Sequence, residues 1–400
     1  MITTDEMAVL ERAANAPMLA QVLDWASINS GTCHLAGLRI MAQKLSDAFS
    51  ILPGRLQMLA PDAEEQVDEA GQIHTIRRGE HLHLSVRPEA PVQLLLTGHM
   101  DTVFPADHPF QAVQRLDDGR LNGPGTADMK AGLAVMLAAL QALEYSPLAP
   151  RIGYDLLINS DEETGSHASA RLIAKLAKAK LAALTYEPAT ADGGLAGARP
   201  GSGNFSILIH GRSAHAGRNP QDGRNALIAA ADLAIRLNHL KSDDLLVNPA
   251  RIDGGGPNNV VPDFALLRLN MRPVHPHAMK ASMAALQAAI SAIERDHDVK
   301  AHLHGEFNRP PKPLSAAATR LFELVRHCGH DLDLNLAWKA TGGVCDGNNI
   351  AACGIAVVDT MGPRGGAIHS PEEFLIVESL AERAQLSALS ILRLAERGRL

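Results

Sequence analysis

Leu94-Leu-Leu-Thr-Gly-His-Met-Asp101 decides the reading of this chain. An apolar run stops at a glycine, and a histidine and an aspartate follow two residues apart. Such a run reads as a strand buried on both faces, as in a parallel sheet. In extended backbone, residues i and i+2 share a face, so Asp101 sits where it can orient the His99 imidazole. Open α/β sheets bind their ligands just past the carboxyl ends of such strands. Taken alone, though, His-x-Asp reads more readily as a loop histidine beside a turn aspartate.

On either side of this strand the elements alternate. Residues 5–50 carry helical periodicity, and strand-like runs follow at Leu82–Val86 and Val92–Leu96. A Gly- and Pro-rich loop leads to a helix over Ala131–Leu143. A strand at Asp155–Asn159, a helix near Ala168–Ala177 and a strand near Ala182–Tyr186 come next. Alternating strands and helices predict a mainly parallel sheet with helices on both faces. From about Pro200 the texture changes. Strands at Phe205–His210, Leu245–Ile252, Phe264–Met271 and Val299–His304 surround helices at Asn225–Leu240 and Met279–Ile293. That order is the split βαβ arrangement of a small α+β domain. Asn308-Arg-Pro-Pro-Lys-Pro313 reads as a stiff connector. A helix, a Gly-rich turn, a strand at Ile355–Thr360 and a packing helix over Leu375–Leu394 then resume the α/β style. The expectation is one α/β domain of residues 1–199 and 309–400, interrupted by an α+β domain of residues 200–308.

Composition narrows the function. With 46% apolar and 20% charged residues, the chain can bury a large core. A net charge of −7 argues against a nucleic-acid partner, which needs a basic surface. No apolar run approaches the roughly 18 residues of a membrane span. Met1-Ile-Thr-Thr-Asp-Glu6 shows no basic-then-apolar leader, so a soluble, cytoplasmic protein is expected. Cys33, Cys328, Cys345 and Cys353 lack CxxC spacing and read as reduced thiols.

Four further segments carry candidate chemistry. In Gly123-Pro-Gly-Thr-Ala-Asp-Met-Lys-Ala-Gly132, Asp128 either caps the helix that follows or presents a carboxylate beside His99. The same glycines hint at a dinucleotide loop, but no third glycine stands at position 128. Leu156-Leu-Ile-Asn-Ser-Asp-Glu-Glu-Thr-Gly165 puts three successive acids at a strand end. Its plainer reading is a solvated loop; otherwise one of Glu162 and Glu163 binds a cation while the other moves protons. Glu187 follows the strand ending at Tyr186, and His369 lies in the loop Gly365-Gly-Ala-Ile-His-Ser370. Each segment is weak by itself. Together, two histidines and several carboxylates at strand ends suit two borderline divalent ions, Zn²⁺ first and Co²⁺ or Mn²⁺ not excluded. A shared carboxylate and a bridging water activated by a free glutamate would complete such a centre.

With these segments in this order, the chain resembles the co-catalytic metallopeptidases that include bacterial glutamate carboxypeptidase, acetylornithine deacetylase, succinyl-diaminopimelate desuccinylase and aminoacylase. His99-Met-Asp-Thr-Val, Tyr186-Glu-Pro and Ser213-Ala-His-Ala-Gly217 are similar to the glutamate carboxypeptidase branch. The resemblance implies that His99, Asp128 and Glu187 hold one metal and Asp128, Glu163 and His369 the other. Glu162 is then the base that activates the bridging water, and Asp101 orients His99. A cis peptide at Asp128–Met129 is implied as well. The inserted domain becomes a lid through which two chains dimerise, sending His215 across the interface to the oxyanion. Asn259 and Arg272 would hold a substrate carboxylate, for which the arginine fork is suited. The family's Gly-Gly-x-Ser/Thr-Asp turn, beside the substrate pocket, is written here Gly342-Gly343-Val-Cys-Asp346, with Val344 and Cys345 at its departures. Cys345 reads as a buried thiol. His81 and His83 are expected on an exposed strand face, as are His302 and His304.

The implied activity is hydrolysis of the amide joining an acyl or peptidyl group to an amino acid with a free carboxylate, by metal-bound hydroxide. A metal-free binding or regulatory protein on the same scaffold is the alternative. A nicotinamide oxidoreductase rests only on the defective glycine loop.

Overall fold

A computed structural model describes residues 1–400. At its centre six strands pair in the order Arg55–Leu59, His81–Val86, Ile152–Asn159, Val92–His99, Ala182–Thr185 and Val357–Val358. The last four run parallel. The two strands at the other edge are antiparallel additions.

Period-two alternation divides the parallel strands between two cores. Leu94, Leu96, Leu156, Ile158, Ala182, Leu184 and Val358 face the larger core. Leu95, Leu157, Ala183 and Val357 face the smaller one, with Ile173, Ala177 and Ile350 from two covering helices. Both faces are covered, so these strands are apolar at successive positions rather than at alternate ones.

The helix Lys130–Leu143 lies in the larger core and is buried on nearly every side. That explains its unbroken apolar sequence. Gly132 lets it approach: a Cβ there would stand 2.0 Å from the Tyr186 carbonyl oxygen. Helices Thr4–Ala14, Met18–Ala26 and Ser379–Arg397 pack on the same side.

Connectivity creates a crevice. The chain leaves Val92–His99 through the helix Lys130–Leu143 to the strand on one side. It then crosses through the helix Ala170–Ala177 to the strand on the other. At such a divergence the carboxyl ends of neighbouring strands open a binding cleft.

Residues Ser202–Arg309 form a second layer pair. Four antiparallel strands stand in the order Leu245–Gly254, Phe264–Pro273, Ser202–His210, Lys300–Arg309. The helices Ala226–Asn238 and Pro276–His297 cover one face and build a separate core. The opposite face meets the hairpin Glu64–Val67/Ile73–Ile76, where Val67 packs on Leu208 and Leu266.

Several expectations need correction. His81 and His83 are buried rather than exposed, because groups distant in sequence cover the faces they point to: His81 Nε2 lies 3.3 Å from the Ala168 carbonyl oxygen, and His83 Nδ1 lies 3.1 Å from Gln57 Nε2. His83 Nε2 donates to Asp155 Oδ1 at 2.8 Å. The strand expected at Ile355–Thr360 is ladder-paired at Val357–Val358, with a single further bridge from Thr360 to Tyr186. Phe374–Ile376 joins a small sheet, so the last helix starts later, at Ser379. Asn308 and Arg309 are not connector; they complete the strand Lys300–Arg309.

Candidate metal centre

Five strand ends and loops meet at the crevice. His99 is the last residue of the central strand and is buried. Its Nδ1 lies 2.9 Å from the Asp101 carbonyl oxygen. A carbonyl only accepts, so Nδ1 is the donor and Nε2 faces the crevice. Nε2 stands 3.1 Å from Asp128 Oδ1 and 3.7 Å from Glu187 Oε2. The other oxygen of Asp128, Oδ2, lies 3.3 Å from His369 Nε2, which is 3.1 Å from Glu163 Oε2. Two candidate ligand triads therefore share Asp128, one oxygen each: His99, Asp128, Glu187 and Asp128, Glu163, His369.

The surroundings aim these groups. Asp101 meets His99 more closely through its carbonyl than through its carboxylate, which is 3.5 Å away. That carboxylate instead accepts from the backbone N–H of Glu162 at 3.2 Å and of Glu163 at 3.1 Å, and from Thr32 Oγ1 at 2.7 Å. Asp101 thus fixes the turn bearing both glutamates. His369 occupies left-handed backbone, φ 63°, an uncommon conformation for a side-chain-bearing residue. It brings the imidazole back over Asp128. The peptide bond Asp128–Met129 is cis.

The buried charges of the site perturb one another strongly. Burial, followed by the nearby Asp128 carboxylate, pushes Glu163 up to about 8. Burial raises Glu187 as well, and its Oε1 is buried without a partner. Bonds to Asp128 and Glu163 push His369 up to about 11. Burial disfavours protonated His99, yet Glu187, Asp101 and Asp128 hold its pKa well above the usual histidine range. Crowded buried carboxylates with an orphan oxygen and facing imidazoles form a mixed N/O donor set suited to borderline divalent ions.

A cavity of about 1200 Å³ opens over the two triads, between the sheet domain and the inserted unit. Glu162 lines it, as do Arg272 and Gly343. Arg272 Nε donates to Asn270 Oδ1 at 3.0 Å and Nη1 to the Gly342 carbonyl at 2.9 Å. The Gly343 carbonyl accepts from Arg199 Nη1 at 3.1 Å. Val344 and Cys345 are also in the wall. Cys345 is buried, and burial raises its thiol pKa well above the ordinary range, which leaves it unreactive.

His215 and Asn259 do not line this cavity. Both are exposed, on neighbouring loops where the Ala216 N–H donates to the Asn259 carbonyl at 2.9 Å. The structure brings the five predicted ligands and Glu162 together in one chain, and keeps these two apart from them.

Sequence reasoning missed two neighbours. Glu373 accepts N–H bonds from Gly125, Ala127 and Asp128 at 3.2, 2.9 and 3.1 Å, cradling the turn that presents Asp128. Burial pushes Glu373 up to about 7. The pair Glu372-Glu373 shortly after His369 was its only local signal. Arg309 donates to Glu162 Oε1 at 2.7 Å; nothing near it in sequence announces this.

A family model described as Peptidase family M20/M25/M40 matches residues 95–393. Carboxypeptidase G2 of Pseudomonas sp. (strain RS-16) is 28% identical over 325 residues, covering 79% of this chain and 77% of that protein. A succinyl-diaminopimelate desuccinylase of Verminephrobacter eiseniae is 27% identical over 308 residues, covering 72% and 75%. A Staphylococcus aureus tripeptidase shares the fold with TM-score 0.71 at 24% identity, over 97% of this chain and 99% of that one. A Bacillus subtilis protein described as a dinuclear metal binding peptidase superposes with TM-score 0.66 at 14% identity, over 98% and 99%. The chain is a hydrolase of amide bonds and belongs to peptidase family M20/M25/M40.

Proposed function

We propose that this enzyme is a dinuclear metal-dependent carboxypeptidase or N-acyl-amino-acid deacylase, releasing an amino acid with a free α-carboxylate. The observation that carries the reading is Asp128, whose two oxygens face two histidines at 3.1 and 3.3 Å, each within its own ligand triad. His99, Asp128 and Glu187 would hold one ion and Asp128, Glu163 and His369 the other, with Zn²⁺ favoured and Co²⁺ or Mn²⁺ able to replace it. When bound, such a pair polarises the scissile carbonyl and lowers the pKa of water.

The chain's own residues supply the rest. Glu162, buried beside the triads and not needed as a ligand, takes the proton of the attacking water and passes it to the leaving nitrogen. Arg272, on the inserted unit, grips the substrate carboxylate, its fork matching the planar group. Gly343 lines the cavity where that substrate lies, with the half-buried Val344 beside it shaping side-chain choice. His215 of the partner subunit stabilises the oxyanion and Asn259 assists in carboxylate binding, in a homodimer formed through the inserted unit. The substrate is a small peptide or N-acyl amino acid, and the four free cysteines accord with a reducing, cytoplasmic setting.

The test is direct. Chelator-treated protein is assayed, with and without added Zn²⁺ or Co²⁺, on N-acyl amino acids and dipeptides varied at the C-terminal residue. Activity that disappears on chelation, returns with metal and requires a free carboxylate is expected. Full activity in metal-free protein, or equal turnover of carboxyl-amidated substrates, contradicts the reading.

A further inference from the structure

The two chain crossings into the inserted unit are held by buried cations. Arg199 and Lys312 pair through their backbones, at 3.0 Å in both directions, and both reach the buried Asp359, at 2.8 and 2.7 Å. Arg309 is different. It is the last residue of the inserted unit's strand Lys300–Arg309, in register with Ser202, and its side chain is 2% exposed.

Its guanidinium leaves the inserted unit for the sheet domain. Nη2 donates to Glu162 Oε1 at 2.7 Å, to the Glu162 carbonyl at 2.9 Å and to Ser166 Oγ at 3.0 Å. Nη1 donates to Asp346 Oδ1 at 2.9 Å and Asn349 Oδ1 at 3.1 Å. One side chain thereby holds both the backbone and the carboxylate of Glu162. The same turn is gripped by the preceding residue, since Asn308 Nδ2 donates to the Gly165 carbonyl at 2.8 Å. Asp346 is itself anchored by Asn159 Nδ2 at 2.8 Å, at the end of the neighbouring parallel strand.

We propose that Arg309 is a positioning residue that couples the placement of the inserted unit to the orientation of the Glu162 carboxylate. The proposal rests on the reading of Glu162 as the base. Arg309's backbone belongs to the ladder of one unit and its fork to a loop of the other, so a rotation of the inserted unit drags the fork. Misplacing a reacting group by about 1 Å can cost 10²-fold in rate. Substrate held by Arg272 on the same four-stranded sheet would thus set the base through Arg309. The planar fork is what allows one side chain to serve Glu162 and Asp346 together, and a lysine ammonium offers no such fork.

The test uses metal-loaded enzyme and a substrate from the panel above. Arg309→Met, Arg309→Lys, Glu162→Gln and the double variant Glu162→Gln/Arg309→Met are compared for kcat, KM, metal content and melting. The expected result for Arg309→Met is parental metal content, KM within about threefold and kcat lowered about 100-fold. Arg309→Lys restores about tenfold of that loss, and it carries the test alone if Arg309→Met does not fold. The double variant is no slower than Glu162→Gln, because both changes act on one step. Parental kcat in a folded Arg309→Met beside a dead Glu162→Gln overturns the coupling and leaves the base intact. Losses that multiply in the double variant also overturn it. Parental turnover in Glu162→Gln overturns the base reading and the coupling with it.

Discussion

Glu162 and Glu163 are adjacent in sequence, yet their carboxylates have different company. Glu163 lies 3.1 Å from His369 in a candidate ligand triad, whereas Glu162 bonds Arg309 at 2.7 Å and belongs to neither triad. Mutation should separate them. Glu162→Ala is expected to keep its metal and lose about 10²- to 10⁴-fold in kcat, the range for removal of a general base. His99→Ala is expected to lose one ion per chain. Metal analysis beside initial rates checks both, and near-parental turnover in Glu162→Ala would falsify the base assignment. Glu373 acts at one remove, through three N–H bonds to the turn that bears Asp128. Glu373→Gln should weaken metal affinity by about 10–100-fold, as loss of a ligand-orienting partner typically does. Titration against a competing chelator reads this, and unchanged affinity would remove Glu373 from the account.

At the scale of elements, the site depends on how closely the helix Lys130–Leu143 approaches the sheet. Gly132→Ala places a Cβ against the Tyr186 carbonyl, one residue before Glu187. Overpacking of this kind costs about 1–3 kcal/mol, and denaturant midpoints should show it together with weakened metal binding. The antiparallel edge has its own electrostatic lock. Burial alone would raise Asp155, but bonds from His83 at 2.8 Å and Lys180 at 2.6 Å outweigh it and hold its pKa down at about 2, below the usual 3.8. A depressed carboxylate stabilises the fold above its ordinary pKa, and that contribution fades as pH falls towards its folded value. Asp155→Asn is therefore expected to be less stable than the parent at pH 7, with the gap narrowing below pH 3.8 and nearly closing by about pH 2. A stability gap independent of pH would contradict the lock.

Across the whole molecule, what could be read in advance was local. His99, Asp128, Glu163, Glu187 and His369 stand at strand ends or loops whose own residues announce a break in apolar pattern, and the mainly parallel pairing of the sheet follows from alternating elements, although the order of its strands does not. What could not be read depends on distant partners. Arg309 meets Glu162 from 147 positions away, and Glu373 meets Asp128 from 245. His81 and His83 are buried beside groups remote in sequence, the Ala168 carbonyl for one and the Asp155 carboxylate for the other. Association belongs to this scale too. Ile228 and Ile235 on the inserted unit's helix are 55% and 58% exposed, and Leu246 on its edge strand is 61% exposed. A dimer through this unit should appear as two chains in light scattering, and charged substitutions at Ile228 and Ile235 should give monomers of reduced activity. Fully active monomers would remove the trans role of His215. The most direct measurement of the central claim is an anomalous-diffraction map of crystals grown with Zn²⁺. Two peaks flanking Asp128 in the parent, with both weakened or lost in Asp128→Ala, are predicted; a single peak, or two peaks indifferent to that substitution, would contradict the shared-carboxylate centre.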